Sequence, residues 1–419
     1  MNTDVIVVGG GAAGLMAALF AAGEGARVLL LDKNQKLGRK LRITGKGRCN
    51  LTNNCERKEF LENIPGDGRF LHSALAAFSP QDTIAFFEEH GLPVKTERGK
   101  RVFPQSDNAN DVADLLVRLC RKNGVKISQG EVRGISVRDG AVQGVKTENC
   151  LIGCSACIIC TGGLSYPLTG STGDGYRFAK SLGHTVTATR PSLVPLESPN
   201  SCCARLQGLT LKNVELRIYE DNMLLCREQG EMLFTHFGLS GPLVLSASSR
   251  MRRMGSACYR AEIDLKPALD EKSLDRRIQR DLNIYKNKAL RNALVDLLPY
   301  AMIPEVIRLC GVDTEPAANE VTRELRSRLA HTLKAFPIEI SGTRPYEEAI
   351  VTAGGILLRE VDPRSMQSRL VQGLYFAGEV LDLDAYTGGF NLQIAWSTGK
   401  LAGLSAAKNT QIQLSGSTV

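Results

Sequence analysis

Val5-Ile6-Val7-Val8-Gly9-Gly10-Gly11-Ala12-Ala13-Gly14-Leu15 decides the architecture of this 419-residue chain. Val5 to Val8 read as a buried parallel strand, Leu15 to Ala22 as a helix, and Val28 to Leu31 as the next strand, closed by Asp32. Strand, glycine turn, helix and strand in this order place G-x-G-x-x-G in the setting its chemistry needs. Gly9 permits the tight turn, Gly11 lets a pyrophosphate approach the backbone, and Gly14 lets helix and strand pack. Ala12 and Ala13 lie in the turn, where the helix N-terminus faces the phosphates. Asp32 stands 18 residues past Gly14, where a carboxylate accepts hydrogen bonds from an adenosine ribose.

The same stretch is the one membrane suspect, because Val5 to Gly23 runs 19 residues without a charge. Asp4 precedes it where a signal peptide wants basic residues, and its glycines split it into strand and helix, so no membrane association is expected. Further out, 43% hydrophobic and 23% charged residues exclude a largely disordered or coiled-coil chain, and the length suits two or three domains. Fifty-two Lys plus Arg against 44 Asp plus Glu leave +8, which favours an anionic partner such as a phosphate-rich cofactor or RNA. Twelve cysteines are scattered without a secretory leader, so reduced thiols and a cytoplasmic location are expected.

A run without acids follows the second strand, containing Lys33, Lys36, Arg39, Lys40, Arg42, Lys46 and Arg48. It reads as a solvated face, a clamp on cofactor phosphates or a track for a polyanion. Leu151 to Cys160 reads as an apolar strand entering Thr161-Gly162-Gly163, and Gly373-Leu374-Tyr375-Phe376-Ala377-Gly378-Glu379 follows far downstream. These pieces resemble the remaining FAD signatures of the two-dinucleotide-binding-domain flavoproteins. By that resemblance Glu379 accepts a hydrogen bond from the ribitol, and backbone N–H groups near Gly389, Phe390, Asn391 and Leu392 stabilise negative charge on the reduced flavin.

The resemblance narrows with Thr44-Gly45-Lys46-Gly47-Arg48-Cys49-Asn50-Leu51-Thr52-Asn53 and with Leu233-Phe234-Thr235-His236-Phe237-Gly238-Leu239-Ser240-Gly241-Pro242. Together with Gly163-Leu164-Ser165-Tyr166-Pro167, Gly170-Ser171-Thr172-Gly173-Asp174-Gly175 and Tyr386-Thr387-Gly388-Gly389-Phe390-Asn391, they resemble the BaiN/RdsA family of FAD-dependent oxidoreductases, which includes aminoacetone-oxidase-like members. The likeness spans nearly the whole chain. It implies an α/β, Rossmann-like FAD-binding domain with an inserted mixed, β-barrel-like plus helical domain. It also implies FAD contacts from Lys33, Arg39, Lys40, Gly45, Gly47, Arg48, Cys49, Asn50 and Val132, beside Thr161, Gly162, Gly163 and Gly378.

The FAD domain is expected from residue 1 to about 190 and again from about 342 to the end, around an insertion of about 191–341 marked by Pro191, Pro195, Pro199, Pro337 and Pro345. Within the insertion, strands are expected up to about residue 268, over Leu209 to Leu216, Val214 to Tyr219 and Tyr259 to Leu265. Helices are expected from about 269, over Leu274 to Leu298 and Ala317 to Leu333. Val112 to Lys122 reads as an amphipathic helix, and Glu131 to Val137 with Ala141 to Thr147 as a hairpin turned at Asp139-Gly140.

Cys150, Cys154, Cys157 and Cys160 are spaced like an iron–sulfur loop, but Cys157-Ile158-Ile159-Cys160 belongs to an apolar strand, so they read as small hydrophobes and no metal site is expected. Cys202-Cys203 lack the C-x-x-C spacing of disulfide reductases. Cys49 has two open readings, a catalytic thiol beside the flavin and a packing thiol. His236 is the histidine within a motif and the second catalytic candidate, whereas His72, His90, His184 and His331 form no metal spacing. Gly45-Lys46-Gly47 lacks the Ser or Thr that a phosphate-binding ATPase loop needs after its Lys. Arg276, Arg277, Arg280, Lys286, Lys288 and Arg291 read as a solvated helix face that would also suit RNA phosphates.

The expected reaction is reduction of an activated C=C bond by hydride from reduced FAD, with the resemblance implying a ribosomal RNA uridine or a steroid-like enone as substrate. Since no second G-x-G-x-x-G follows another strand, NAD(P)H would dock only transiently as reductant or be replaced by another donor. The alternatives are oxygen-linked oxidation of a small amine such as aminoacetone, fumarate-reductase-like chemistry, and a flavin-bound RNA-binding factor without turnover.

Overall fold

The structure, a computed structural model, describes residues 3–312 and 315–416, with side chains up to 411. It forms two compact units, one made by the chain up to Ser192 and again from Tyr346, the other by Leu193–Pro345.

The first unit is built on a parallel sheet in the order Leu374–Phe376, Ala156–Ile159, Val5–Val8, Val28–Asp32 and Lys126–Gln129. Val5 pairs with Ala156 on one side and Val28 on the other, and all four residues of its strand are buried, which explains their unbroken apolar character. The following helix is Ala12–Gly23, longer than expected at its start, because Gly11 takes the extended N-cap conformation and Gly14 is already helical. Leu151 to Cys160 is not one strand. Leu151–Gly153 pairs antiparallel with Ala141–Thr147, and after a break at Cys154-Ser155 the chain enters the parallel sheet as Ala156–Ile159. The basic run is not a plain loop either, since Arg39–Ile43 is helical and Thr44–Gly47 is a tight turn.

The C-terminal helix Phe390–Gly416 lies close against Ala12–Gly23. Two glycines four residues apart make this possible: a Cβ on Gly399 would sit 2.4 Å from the Ala13 carbonyl oxygen, and one on Gly403 2.3 Å from that of Ala17. This contact carries the cofactor turn on one helix and the Gly388-Gly389 turn at the head of the other.

The second unit holds an antiparallel sheet in the order Phe336–Ile340, Tyr259–Asp264, Thr210–Glu220, Met223–Thr235, Gly238–Ser240, Leu196–Glu197 and Gly342–Thr343. Its two end strands are separated in sequence only by Ser341, so the ladder returns on itself as in a barrel. The two strands expected over Leu209 to Tyr219 are one. Met223–Thr235 was not anticipated, because Arg227, Glu228, Gln229, Gly230 and Glu231 interrupt its apolar alternation. The helical part comprises Glu271–Ile284, Leu290–Ala293, Ile303–Leu309 and Arg323–Lys334. The expected helix from Leu274 to Leu298 is therefore broken: Ala289 bridges Ala317, and the Leu290 N–H donates to Pro316 O instead of to its own helix. The helical stretch also ends before 341, because Phe336–Ile340 returns to the sheet. No helix among the described residues is long and apolar enough to cross a membrane.

Candidate cofactor site

The three motif glycines of the first turn are required for different reasons. Gly9 has φ +101° and its Cβ would lie 2.5 Å from the Cys160 carbonyl oxygen, while a Cβ on Gly14 would lie 1.8 Å from that of Gly9. Both are demanded by the protein's own backbone. Gly11 is not: its φ is −81°, open to any residue, and its Cβ would meet nothing within 4 Å. The space beside it, at the head of a helix whose first amides lack intrahelical partners, offers the room and the donors that a phosphate needs.

Asp32 ends the second strand half-buried and is engaged by the turn itself. Its Oδ2 accepts from the Gly10 N–H at 2.7 Å and its Oδ1 from the Asn34 N–H at 2.7 Å, and Arg39 donates to Asn34 Oδ1 at 2.9 Å. A carboxylate offers about four acceptor positions, so fixing the turn leaves capacity for a sugar hydroxyl. Val132 is buried in the strand that follows Gly130, whose N–H donates to Asp32 O. In the Thr161-Gly162-Gly163 motif, Thr161 Oγ1 is a buried hydroxyl without a partner, which marks polar space still to be satisfied.

Lys40 and Glu379, 339 residues apart, form an ion pair of 2.6 Å with side chains about a fifth exposed, 22% and 19%. Ser165 Oγ donates to Glu379 Oε1 at 2.8 Å, the Thr352 N–H reaches the same oxygen at 3.0 Å, and Lys40 also donates to Ser165 at 2.5 Å. Gly163 cannot carry a side chain here, because its Cβ would stand 2.5 Å from Thr352 Oγ1. Ser165 and Thr352 escaped sequence reading as site residues, since neither type nor spacing distinguishes them. Glu379→Ala should cost about 2 kcal/mol of stability and reduce cofactor retention, because it strands Lys40 and the Thr352 amide. Glu379→Gln, which keeps the acceptor for Thr352 and Ser165, should lie between the two in denaturant titration and in flavin absorbance.

The Gly45-Lys46-Gly47-Arg48-Cys49 loop holds positive φ at Gly45, Lys46, Gly47 and Cys49. Strain at Lys46 and Cys49 persists only because neighbours over-determine it. Arg48 is clamped by Glu97 at 2.5 Å and Asp107 at 2.8 Å, with its guanidinium 4.2 Å from the Phe103 ring centre. Lys33 donates to Asp174 at 2.7 Å and Arg42 to Asp114 at 2.6 Å. Lys33, Lys40, Arg42 and Arg48 are thus neutralised within the unit, while Lys36, Arg39 and Lys46 face solvent. That weakens the reading of the run as a polyanion track.

Asn50 joins this loop to the second glycine turn: in the amide orientation that satisfies both its polar atoms, its oxygen accepts from the Gly389 N–H at 3.0 Å. Asn53 Nδ2 donates to Gly388 O at 3.0 Å, Trp396 Nε1 to Leu51 O at 2.9 Å, and Thr52 Oγ1 to Gln393 Oε1 at 2.6 Å. Asn391 spends its side chain on Ala385, donating to its oxygen at 2.7 Å and accepting from its N–H at 3.0 Å. The amides of Phe390, Asn391 and Leu392 open the long helix, where unpaired N–H groups and the helix dipole favour negative charge.

The two catalytic candidates lie in different units. Cys49 is fully buried, and burial pushes its thiol up to about 12 despite a hydrogen bond from Thr44, which favours packing over chemistry. Cys49→Ala should leave turnover unchanged under saturating reductant, with at most about 1–2 kcal/mol lost on unfolding from the small cavity. His236 lies in the other unit, exposed in the turn after Met223–Thr235 and edge-on to Phe237 with ring centres 5.0 Å apart. Cys154, Cys157 and Cys160 are buried, Cys150 is exposed, and all four are free thiols.

The family model described as the HI0933-like protein Rossmann domain matches residues 3–405. The chain is 34% identical over 399 residues to the ribosomal RNA dihydrouridine synthase of Escherichia coli K12, covering 94% of this chain and 96% of that one. It is 31% identical over 412 residues to the 3-dehydro-bile acid delta(4,6)-reductase of Clostridium scindens, covering 96% and 98%. Among solved structures, 3-ketosteroid delta1-dehydrogenase from Sterolibacterium denitrificans shares the fold at TM-score 0.53 and 14% identity, covering 97% of this chain and 100% of that one.

Proposed function

The chain belongs to the HI0933-like Rossmann-domain family, the BaiN/RdsA flavoproteins that its motifs resemble, and is an FAD-dependent oxidoreductase; on that premise we propose that it reduces an activated carbon–carbon double bond, with a uridine of ribosomal RNA as substrate and dihydrouridine as product. When bound, FAD supplies the two-electron reduction. The observation that carries the reading is the pairing of an open phosphate cradle at Gly11 with a second, charge-accepting helix head at Phe390, tied together by Gly399 and Gly403.

In this reading the chain's residues bind and orient. Gly11, Ala12 and Ala13 receive the pyrophosphate at a helix head, Asp32 keeps the turn closed and takes a ribose hydroxyl, and Thr161 supplies its unpaired hydroxyl. Glu379, held in register by Lys40, Ser165 and Thr352, accepts from the ribitol. The amides of Phe390, Asn391 and Leu392 would stabilise negative charge on the reduced flavin, while Asn50 holds the Gly389 turn and Glu97 fixes Arg48. NAD(P)H serves as a transient reductant, and the reaction takes place in the cytoplasm. Exposed cations of the inserted unit, such as Lys272, Lys286 and Lys288, contact RNA phosphates, whereas Arg277 and Arg280 are committed to Asp281 and Arg291 to Glu315.

The test is mass-spectrometric quantification of dihydrouridine in ribosomal RNA from cells with and without the gene. Loss on deletion and return on complementation support the reading, and an unchanged level overturns it. The likeness to the bile-acid reductase supports a second reading, reduction of a steroid-like enone, checked by reductant-dependent turnover of such enones.

A further inference from the structure

We propose that His236 and Phe237, with the Arg344 guanidinium stacked on Phe237, form a platform on the inserted unit that receives an unstacked base of the RNA strand; this rests on the ribosomal RNA reading above. The two residues are the whole turn of a β-hairpin, because Thr235 and Gly238 on either side still pair, joining Met223–Thr235 to Gly238–Ser240. Two-residue turns select Gly, Asn or Asp, whose backbones accept positive φ, and neither His236 nor Phe237 takes a positive φ. The hairpin therefore does not ask for these side chains. His236 is nonetheless exposed at the tip, and its ring meets Phe237 edge-on, with centres 5.0 Å apart and planes at 81°.

The platform is held by its own unit. Arg344 Nη1 donates to Glu197 Oε1 at 2.8 Å and its backbone N–H to Pro195 O at 3.0 Å, which sets its guanidinium carbon 4.6 Å from the Phe237 ring centre. The Ser198 N–H donates to Phe237 O at 2.9 Å, and a Cβ on Gly238 would lie 2.2 Å from Leu196 O, so the tip is pinned against Leu196–Glu197. Glu197 balances Arg344, so the Arg344–Phe237 stack carries no net charge and suits the flat face of a nucleobase better than a phosphate. The occupant also follows from the reaction. Hydride reaches a C=C bond of uracil from above or below the ring, so the target must leave its stack, and enzymes that act on bases offset that loss with aromatic side chains. Histidine, phenylalanine and arginine planes are the groups on which single-stranded RNA bases stack. A saturated steroid-like skeleton presents no such face.

The experiment measures the fluorescence anisotropy of labelled single-stranded oligouridine, and of an abasic ribose–phosphate chain of the same length, with the FAD-loaded full-length protein. Wild-type protein should bind oligouridine more tightly than the abasic chain. His236→Ala and Phe237→Ala should each weaken oligouridine binding about tenfold and leave the abasic chain unchanged. His236 is exposed, so its truncation should also leave the thermal midpoint in place. His236→Phe should keep oligouridine affinity within about twofold of wild type, and because phenylalanine carries no titratable proton, that rescue separates stacking from proton transfer. Wild-type binding that is absent or blind to the bases, unchanged oligouridine affinity in both alanine variants, or an equal loss on the abasic chain would each overturn the proposal. Binding is read apart from turnover: loss of dihydrouridine on gene deletion with base-independent binding strikes the platform and leaves the substrate assignment. Base-dependent binding that the alanine variants lose, with dihydrouridine unchanged on deletion, strikes the substrate assignment and leaves the platform.

Discussion

Gly11→Val is expected to give folded protein without flavin. The backbone at Gly11 already has a φ of −81° and a Cβ there touches no protein atom, so the apo fold should lose no more than about 1 kcal/mol. A branched side chain would instead occupy the space into which a pyrophosphate must come. The purified variant should show the flavin absorbance near 450 nm reduced at least about tenfold. Its thermal midpoint should match that of wild-type apoprotein and no longer rise on adding FAD, whereas a ligand at about a thousand times its dissociation constant adds about 4 kcal/mol. Full FAD occupancy in the variant would remove Gly11 from the cofactor site. Gly9→Val makes the contrast, because there φ is +101° and the Cys160 carbonyl is 2.5 Å away, so that substitution should damage the fold itself.

Gly403→Ala should markedly destabilise the packing of the C-terminal helix. Its Cβ would stand 2.3 Å from the Ala17 carbonyl oxygen and 3.0 Å from the Ala17 carbonyl carbon, both backbone atoms that cannot swing aside. The helices must separate, at a cost of about 1–3 kcal/mol, although glycine to alanine in a free helix stabilises by about 1 kcal/mol. Gly23→Ala is the control on the partner helix: nothing lies within 4 Å of its Cβ, so it should be neutral or mildly stabilising. Urea unfolding of the two variants should shift in opposite directions, and equal midpoints would show that the helix contact is looser than described. Flavin retention should fall with Gly403→Ala as well, because the separated helices carry the two turns of the candidate site.

Much of this site was legible along the chain because its signals are local. Gly9, Gly11, Gly14 and Asp32 fall within one strand-turn-helix-strand unit, and their spacing alone implies the turn that the backbone adopts. The roles of Ser165 and Thr352 were not legible. Each is an ordinary hydroxyl residue, and only the approach of Gly163 to Thr352 brings both onto Glu379. The basic run misleads in the opposite direction, since seven cations in sixteen residues suggest a charged surface until Asp114, Glu97, Asp107, Asp174 and Glu379 arrive from distant segments to neutralise four of them.

By itself the sequence determined the parallel α/β sheet, the dinucleotide turn and the mixed character of the insertion, because apolar runs, glycine spacing and period-two alternation act over a few neighbouring residues. Tertiary structure alone decided which charges are free, which thiols are chemically available and where helices touch. Cys49 and Cys202 show why: Cys49 follows Arg48 and Cys202 stands three residues before Arg205, yet one is sealed in the core with its thiol pushed up to about 12 and the other is half-buried in a cleft lined by arginines and glutamates. Reactivity follows burial and neighbouring charge, and those are set by contacts between residues far apart in the chain.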